Sequence, residues 1–140
     1  MQHTATTTVS APVDHVWRVL ADHEGMAEWG PGLSVTLKPA TGAEPGGVGA
    51  VRTISTPLPL PPIVEEITGF EPGARLAYRA RSGVPLKEYG GEVVLRPADG
   101  DRTRISYTIF ATPRVPVIEG LLIRGIATGL LSALARAATR

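Results

Sequence analysis

"IVEEITGFEPGARLAYRAR" (residues 63–81) reads as two strands joined by a tight turn. Pro72 and Gly73 take the central positions of that turn, since proline fixes φ and glycine accepts a left-handed backbone. A loop of two or four residues places Ile67 opposite Tyr78, Glu65 opposite Ala80 and Glu66 opposite Arg79. Arg75, Arg79 and Arg81 alternate with Leu76, Tyr78 and Ala80, so the latter set faces a core. Glu66 and Arg79 then form a cross-strand pair on the outer face, and Glu65 points inward. The same register sends Phe70 outside; a bulge at Gly69 would bring it in and could exchange the roles of the two glutamates.

Strand signals continue on both sides of this hairpin. "HTATTTV" (3–9) is β-branched, "LSVTLK" (33–38) alternates, and "GAVRTIS" (49–55) follows. Downstream, "EYGGEVVLR" (88–96) places Tyr89, Gly91, Val93 and Leu95 on one face. In "TRISYTIFA" (103–111) the apolar face is Thr103, Ile105, Tyr107 and Ile109. Aligning those faces requires an odd number of loop residues around Asp99-Gly100-Asp101. The connections are too short for crossovers, so the seven strands pair antiparallel.

Helical periodicity marks both ends. Val13, Val16, Trp17 and Leu20 share one helix face, with Pro12 in the first turn and Ser10 or Ala11 as cap. Asp22 reads as the cap of a second short helix running to Trp29, which Gly30-Pro31-Gly32 stops. The stretch from Val115 to Ala135 is long and apolar enough for a bilayer, but Glu119 and Arg124 make insertion costly. Arg124, Thr128, Ser132, Arg136 and Arg140 form a polar stripe, while Ile123, Ile126, Ala127, Leu130 and Leu134 gather on another face. Residues 116–139 are therefore expected to form an amphipathic helix about 36 Å long, with no membrane span. A strongly twisted sheet buries that apolar stripe by curving around it.

The composition narrows the function classes. The 140 residues suit a single domain and carry a net charge of +1, with no basic stripe for nucleic acid. No cysteine is present, which excludes disulfides and thiolate chemistry. His3, His15 and His23 have no metal-site spacing; His15 on a polar helix side and His23 at a cap are expected to be solvated. No Gly-x-Ser-x-Gly elbow, phosphate loop or dinucleotide fingerprint occurs. No metal or cofactor is expected. "MQHTATTTVS" (1–10) lacks the pattern of a signal peptide, which points to the cytoplasm.

Ser10-Ala11-Pro12 before Val16-Trp17, then Asp22 and Trp29, Phe70-Glu71-Pro72-Gly73 leading into Arg75-Leu76-Ala77-Tyr78, and the long last helix together resemble the START-like (SRPBCC) superfamily, in its polyketide cyclase/dehydrase branch. The resemblance covers nearly the whole chain. It implies an α+β helix-grip fold: a seven-stranded curved antiparallel sheet wrapped around a long C-terminal helix, with two short helices after the first strand. It also implies a cavity between sheet and helix.

Glu65 is the sharpest chemical hint for that cavity. An inward carboxylate either finds a partner or lines a wet, ligand-accepting space, whereas one near the sheet edge simply reaches solvent. Tyr78, Tyr89 and Tyr107 all fall on inward faces, their hydroxyls either in the cavity or at its rim. From the sheet, Val51, Thr53, Ile67, Gly91 and Ile109 are expected to line the same space. Leu122 and Ile126 do so from the last helix. Trp29, at a helix end beside a breaker, is expected to cover the mouth. The proline-rich "TPLPLPP" (56–62) reads as a stiff loop at that mouth, or as a polyproline ligand for a partner. Gly125 and Gly129 indicate close packing of helix on sheet or room for a ligand, with packing preferred; Gly90-Gly91 indicates a bend in a curved strand.

Two main readings follow. One is a non-catalytic binder of a small, mostly apolar ligand: a lipid, a polyketide-like compound or an aromatic metabolite. The other is an aromatase/cyclase or dehydratase using the same cavity, with Glu65 as candidate acid or base. A weaker third is a regulatory protein whose proline loop or last helix binds another chain; nothing in the sequence points to a specific protein partner or to a homodimer.

Overall fold

The structure is a computed structural model that describes every residue except Gly30, Pro31, Ala43, Pro85, 113–115 and Arg140, together with the side chains of residues 116–119. The expected stop at Gly30-Pro31, the charge of Glu119 and the last member of the polar stripe thus lie outside the described residues.

The chain runs through β1 (Gln2–Val9), α1 (Val13–Ala21), a 3-10 helix (Glu24–Glu28), β2 (Ser34–Lys38), β3 (Val51–Ser55), β4 (Ile63–Glu71), β5 (Arg75–Ser82), β6 (Lys87–Ala98), β7 (Arg102–Thr112) and α2 (Pro116–Ala138). The strands form one antiparallel sheet in the order β1-β7-β6-β5-β4-β3-β2. This is the expected helix-grip arrangement. Pro12 is the cap of α1, not part of its first turn, and no side chain caps that helix. The N-cap of the next element is His23, not Asp22, which lies one residue earlier and accepts a hydrogen bond from the Gly25 N–H at 3.1 Å. That element is a 3-10 helix of five residues.

The β4–β5 hairpin shows how two irregularities cancel. Glu71 pairs with Arg75, so the loop has three residues, and Gly73 takes a φ of +77° that its lack of a Cβ permits. The odd loop turns Phe70 inward opposite Leu76, where its ring meets Trp17 of α1 edge-on with centroids 5.2 Å apart. A bulge between Ile67 and Gly69 then absorbs one residue, and Ile67 returns to its place opposite Tyr78. Glu65 therefore faces inward opposite Ala80 and stays buried. Glu66 is opposite Arg79 as expected, but its ion pair is with Arg81 on the outer face.

The core lies between the sheet and α2. α2 packs on β1 and β7, with Ile123, Ala127 and Leu134 fully buried. Its Gly120–Ala138 segment is long and apolar enough to cross a membrane, and those three side chains are spent on the sheet instead. Gly125 and Gly129 each lie two residues, about 200°, past a buried position and so on the opposite side. A Cβ at either would meet nothing within 4 Å, which overturns the close-packing expectation for them. The strand pair Gly90-Gly91 does serve packing: a Cβ on Gly90 would collide with the ring of Phe110, and one on Gly91 with the ring and hydroxyl of Tyr78.

Candidate functional site

Because α2 closes directly onto β1 and β7, the other half of the sheet is left with a cavity of about 360 Å³. Leu122, Ile126 and Leu130 of α2 form one wall. Met26 of the 3-10 helix, Leu33, Ile54 of β3, Thr56 just after it and Ile63 of β4 line it as well. Val84 and Leu86 of the β5–β6 connection and Tyr89 of β6 complete the lining, and Glu65 and Tyr78 supply the polar floor. The proline-rich loop (57–62) connects Thr56 to Ile63, so both its ends sit at the cavity, and its Leu58 and Leu60 are exposed.

Five of the twelve residues expected in this space are there: Glu65, Tyr78, Tyr89, Leu122 and Ile126. Ile67, Tyr107 and Ile109 face the same way but belong to solid core; the latter two lie on β7, which α2 covers. Gly91 does not reach the cavity because the Tyr78 ring occupies the space above it. Val51 and Thr53 are a phase error. Arg52 pairs in register with Glu65, and cross-strand partners share a face, so Ala50, Arg52 and Ile54 point in and Val51 and Thr53 point out. Trp29 is also misplaced: it lines a separate hollow of about 160 Å³ with Val19 and Ala137, while Met26 takes the position at the cavity.

Arg52 was not expected in the site at all, and it organises the polar floor. Its Nε donates to Glu65 Oε1 at 2.8 Å, with both residues under 5% exposed. Its Nη1 lies 3.2 Å from Nδ1 of His23, and its guanidinium carbon sits 4.6 Å from the centroid of the Tyr78 ring. Burial would push the Arg52 pKa down, but the Glu65 carboxylate and, to a lesser degree, Tyr78 and Tyr107 raise it above its usual value. Arg52 is a fixed cation. His23, expected at a solvated cap, is 2% exposed. Burial holds its pKa below 6.5, and the nearby Arg52 adds to that. The neutral ring fits both of its contacts: Nε2–H donates to the Gly46 carbonyl at 2.8 Å, and Nδ1 accepts from Arg52.

The tyrosines form the second polar group. Tyr78 and Tyr107 hydroxyls are 2.9 Å apart. Burial raises all three tyrosine pKa values, Tyr107 to about 12, so each hydroxyl stays protonated at neutral pH. Tyr89 is aimed by an irregularity. The β6–β7 register shifts between Lys87 and Gly90, and Glu88 takes a φ of +53°, a left-handed conformation costly for a residue with a Cβ.

Among the described residues no group of three or more His, Asp or Glu side chains is arranged to hold a metal. The floor can accept or donate hydrogen bonds and hold one carboxylate in a set orientation.

The sequence profile described as "Polyketide cyclase / dehydrase and lipid transport" matches residues 1–140. No curated protein matches in sequence. Among solved structures, a protein from Thermobifida fusca is 23% identical with a TM-score of 0.76, covering 98% of this chain and 92% of that one. Ara h 8.0201 is 14% identical with a TM-score of 0.70, covering 99% and 94%. DynU16, from the dynemicin biosynthetic locus, is 22% identical with a TM-score of 0.72; the match covers 96% of this chain and 46% of that one. At these identities the likeness is one of fold. The whole-length profile match goes further: this chain belongs to the polyketide cyclase/dehydrase and lipid transport family.

Proposed function

We propose that this protein binds a small, mostly apolar molecule in the cavity between β3–β6 and α2. The observation that carries this reading is a cavity of about 360 Å³ whose lining, among the described residues, is hydrophobic apart from Thr56, Glu65 and two tyrosines. That volume is within the range of small-molecule sites, and few polar groups on apolar walls is how such sites orient a ligand. The buried Arg52–Glu65 pair supports it. A buried ion pair adds little net stability over well-packed apolar side chains, so stability alone does not account for it. Holding a carboxylate at the cavity wall does. Native mass spectrometry of the freshly purified protein tests the proposal: a bound species should accompany the folded chain and leave on partial denaturation. A chain that carries nothing and takes up no lipid, polyketide-like or aromatic compound contradicts it.

The enzymatic alternative draws on one observation, that protonated Tyr78 and Tyr89 border the cavity together with Glu65. Such a set can polarise a ketone and hold a base beside it. Glu65→Gln separates the readings, since the amide still accepts from Arg52 but cannot take a proton at neutral pH. Under the binding reading no reaction with a polyketide-like ketone is lost, because none is present. Turnover that vanishes in a folded Glu65→Gln protein would establish the enzyme instead.

A further inference from the structure

Resting on the ligand-binding reading, we infer that the cavity selects a neutral apolar molecule bearing a hydrogen-bond donor, such as a phenol or alcohol, over a carboxylate of the same size. Glu65 is the only charged residue among the described lining. Arg52 engages its Oε1, and no side chain or backbone group of the described residues donates to Oε2. No described side-chain oxygen sealed from open space lacks a partner, so Oε2 faces the cavity. The acceptor is thus presented and unused.

The compensating cation is not presented. Arg52 does not line the cavity; it lies behind Glu65, one nitrogen on the carboxylate, another on His23, its plane against the Tyr78 ring. An entering carboxylate would meet Glu65 before it could reach Arg52, in a setting where like charges repel strongly. An ammonium ion fares little better, because Glu65 is already neutralised by Arg52 and the newcomer would be a second buried cation. A neutral O–H donor satisfies the open oxygen with no added charge.

The test is a series of naphthalenes of matched shape, titrated into the wild-type protein at pH 7 and followed by NMR chemical shifts: 2-naphthol, 2-methylnaphthalene, 2-naphthoate and 2-naphthylmethylammonium. 2-Naphthol should bind about three- to fortyfold more tightly than 2-methylnaphthalene, the factor left when a charged hydrogen bond is set against the extra methyl burial. Both charged compounds should bind more weakly than 2-methylnaphthalene. In Glu65→Gln the gap between 2-naphthol and 2-naphthoate should shrink by about tenfold. Should that variant not fold, the wild-type series decides. Equal binding of 2-naphthol and 2-methylnaphthalene, or tightest binding of 2-naphthoate, overturns the inference and leaves the binding reading standing. Binding of none of the four overturns both.

Discussion

Glu65 and Glu66 are neighbours in sequence, and the two faces of the sheet give them opposite surroundings. Glu66 lies on the outer face with Arg81, in contact with water. Glu65 lies on the inner face with Arg52, where both side chains are almost wholly enclosed. The chemistry of the two pairs is the same, so the difference between them is the surrounding medium. Outside, water competes for the charges and salt screens them. Inside, neither charge can lose its partner cheaply, and the pair becomes a fixed polar feature in an apolar wall.

The largest break in this comparison is Arg52→Met, which strands the Glu65 carboxylate. It should cost about 3–5 kcal/mol in urea unfolding, and Arg52→Met with Glu65→Leu should recover most of that. A loss below about 1 kcal/mol for the single change would mean that Glu65 reaches water by another route.

Glycines make the same contrast between inside and outside. Gly91→Ala must displace the Tyr78 ring and should cost about 1–3 kcal/mol. Gly129→Ala faces open space on a helix and should gain about 0.5–1 kcal/mol. Thermal melts of the two variants should move in opposite directions; a shared direction would contradict the orientation of α2 or of the Tyr78 ring.

A milder test of the inner cluster is pH. The folded-state pKa of His23 is lowered from 6.5, so the unfolded chain binds the extra proton first on acidification. The contribution of the neutral ring is complete above about pH 6.5 and is lost as pH falls through the lower, folded-state value. His23→Gln should flatten that acid limb of the stability profile. An unchanged limb would remove His23 from the cluster.

On the outer face, Arg81→Ala should change stability by no more than about 1 kcal/mol, and less in high salt. A larger effect would erase the distinction between the faces.

How much of this was legible from sequence differs residue by residue. The strands and α2 were, because alternation and helical periodicity record which side of each element is buried. Glu65 was placed correctly although the turn has three residues, neither two nor four, because the bulge between Ile67 and Gly69 restores the expected pairing. Arg52 was hidden because an arginine in mid-strand looks solvent-facing, and only its partner thirteen positions away reverses that. The signal was available: an inward Glu65 needs a partner, and counting back across the 56–62 loop reaches Arg52. No local pattern marked His23, whose burial involves the distant Gly46 carbonyl. Trp29 misled because its place depends on how the end of α2 packs, a tertiary fact.

The central claim is that the cavity above Glu65 is the ligand site, and filling it tests that most directly. Ile126 lines the cavity from α2, so Ile126→Trp places a bulky ring in the void. Titrated with 2-naphthol, the wild-type protein should show saturable shifts at the β3–β6 half, and the folded Ile126→Trp protein should lose at least about tenfold in affinity. Unchanged affinity in that variant, with its fold intact, would place the ligand elsewhere and contradict the account.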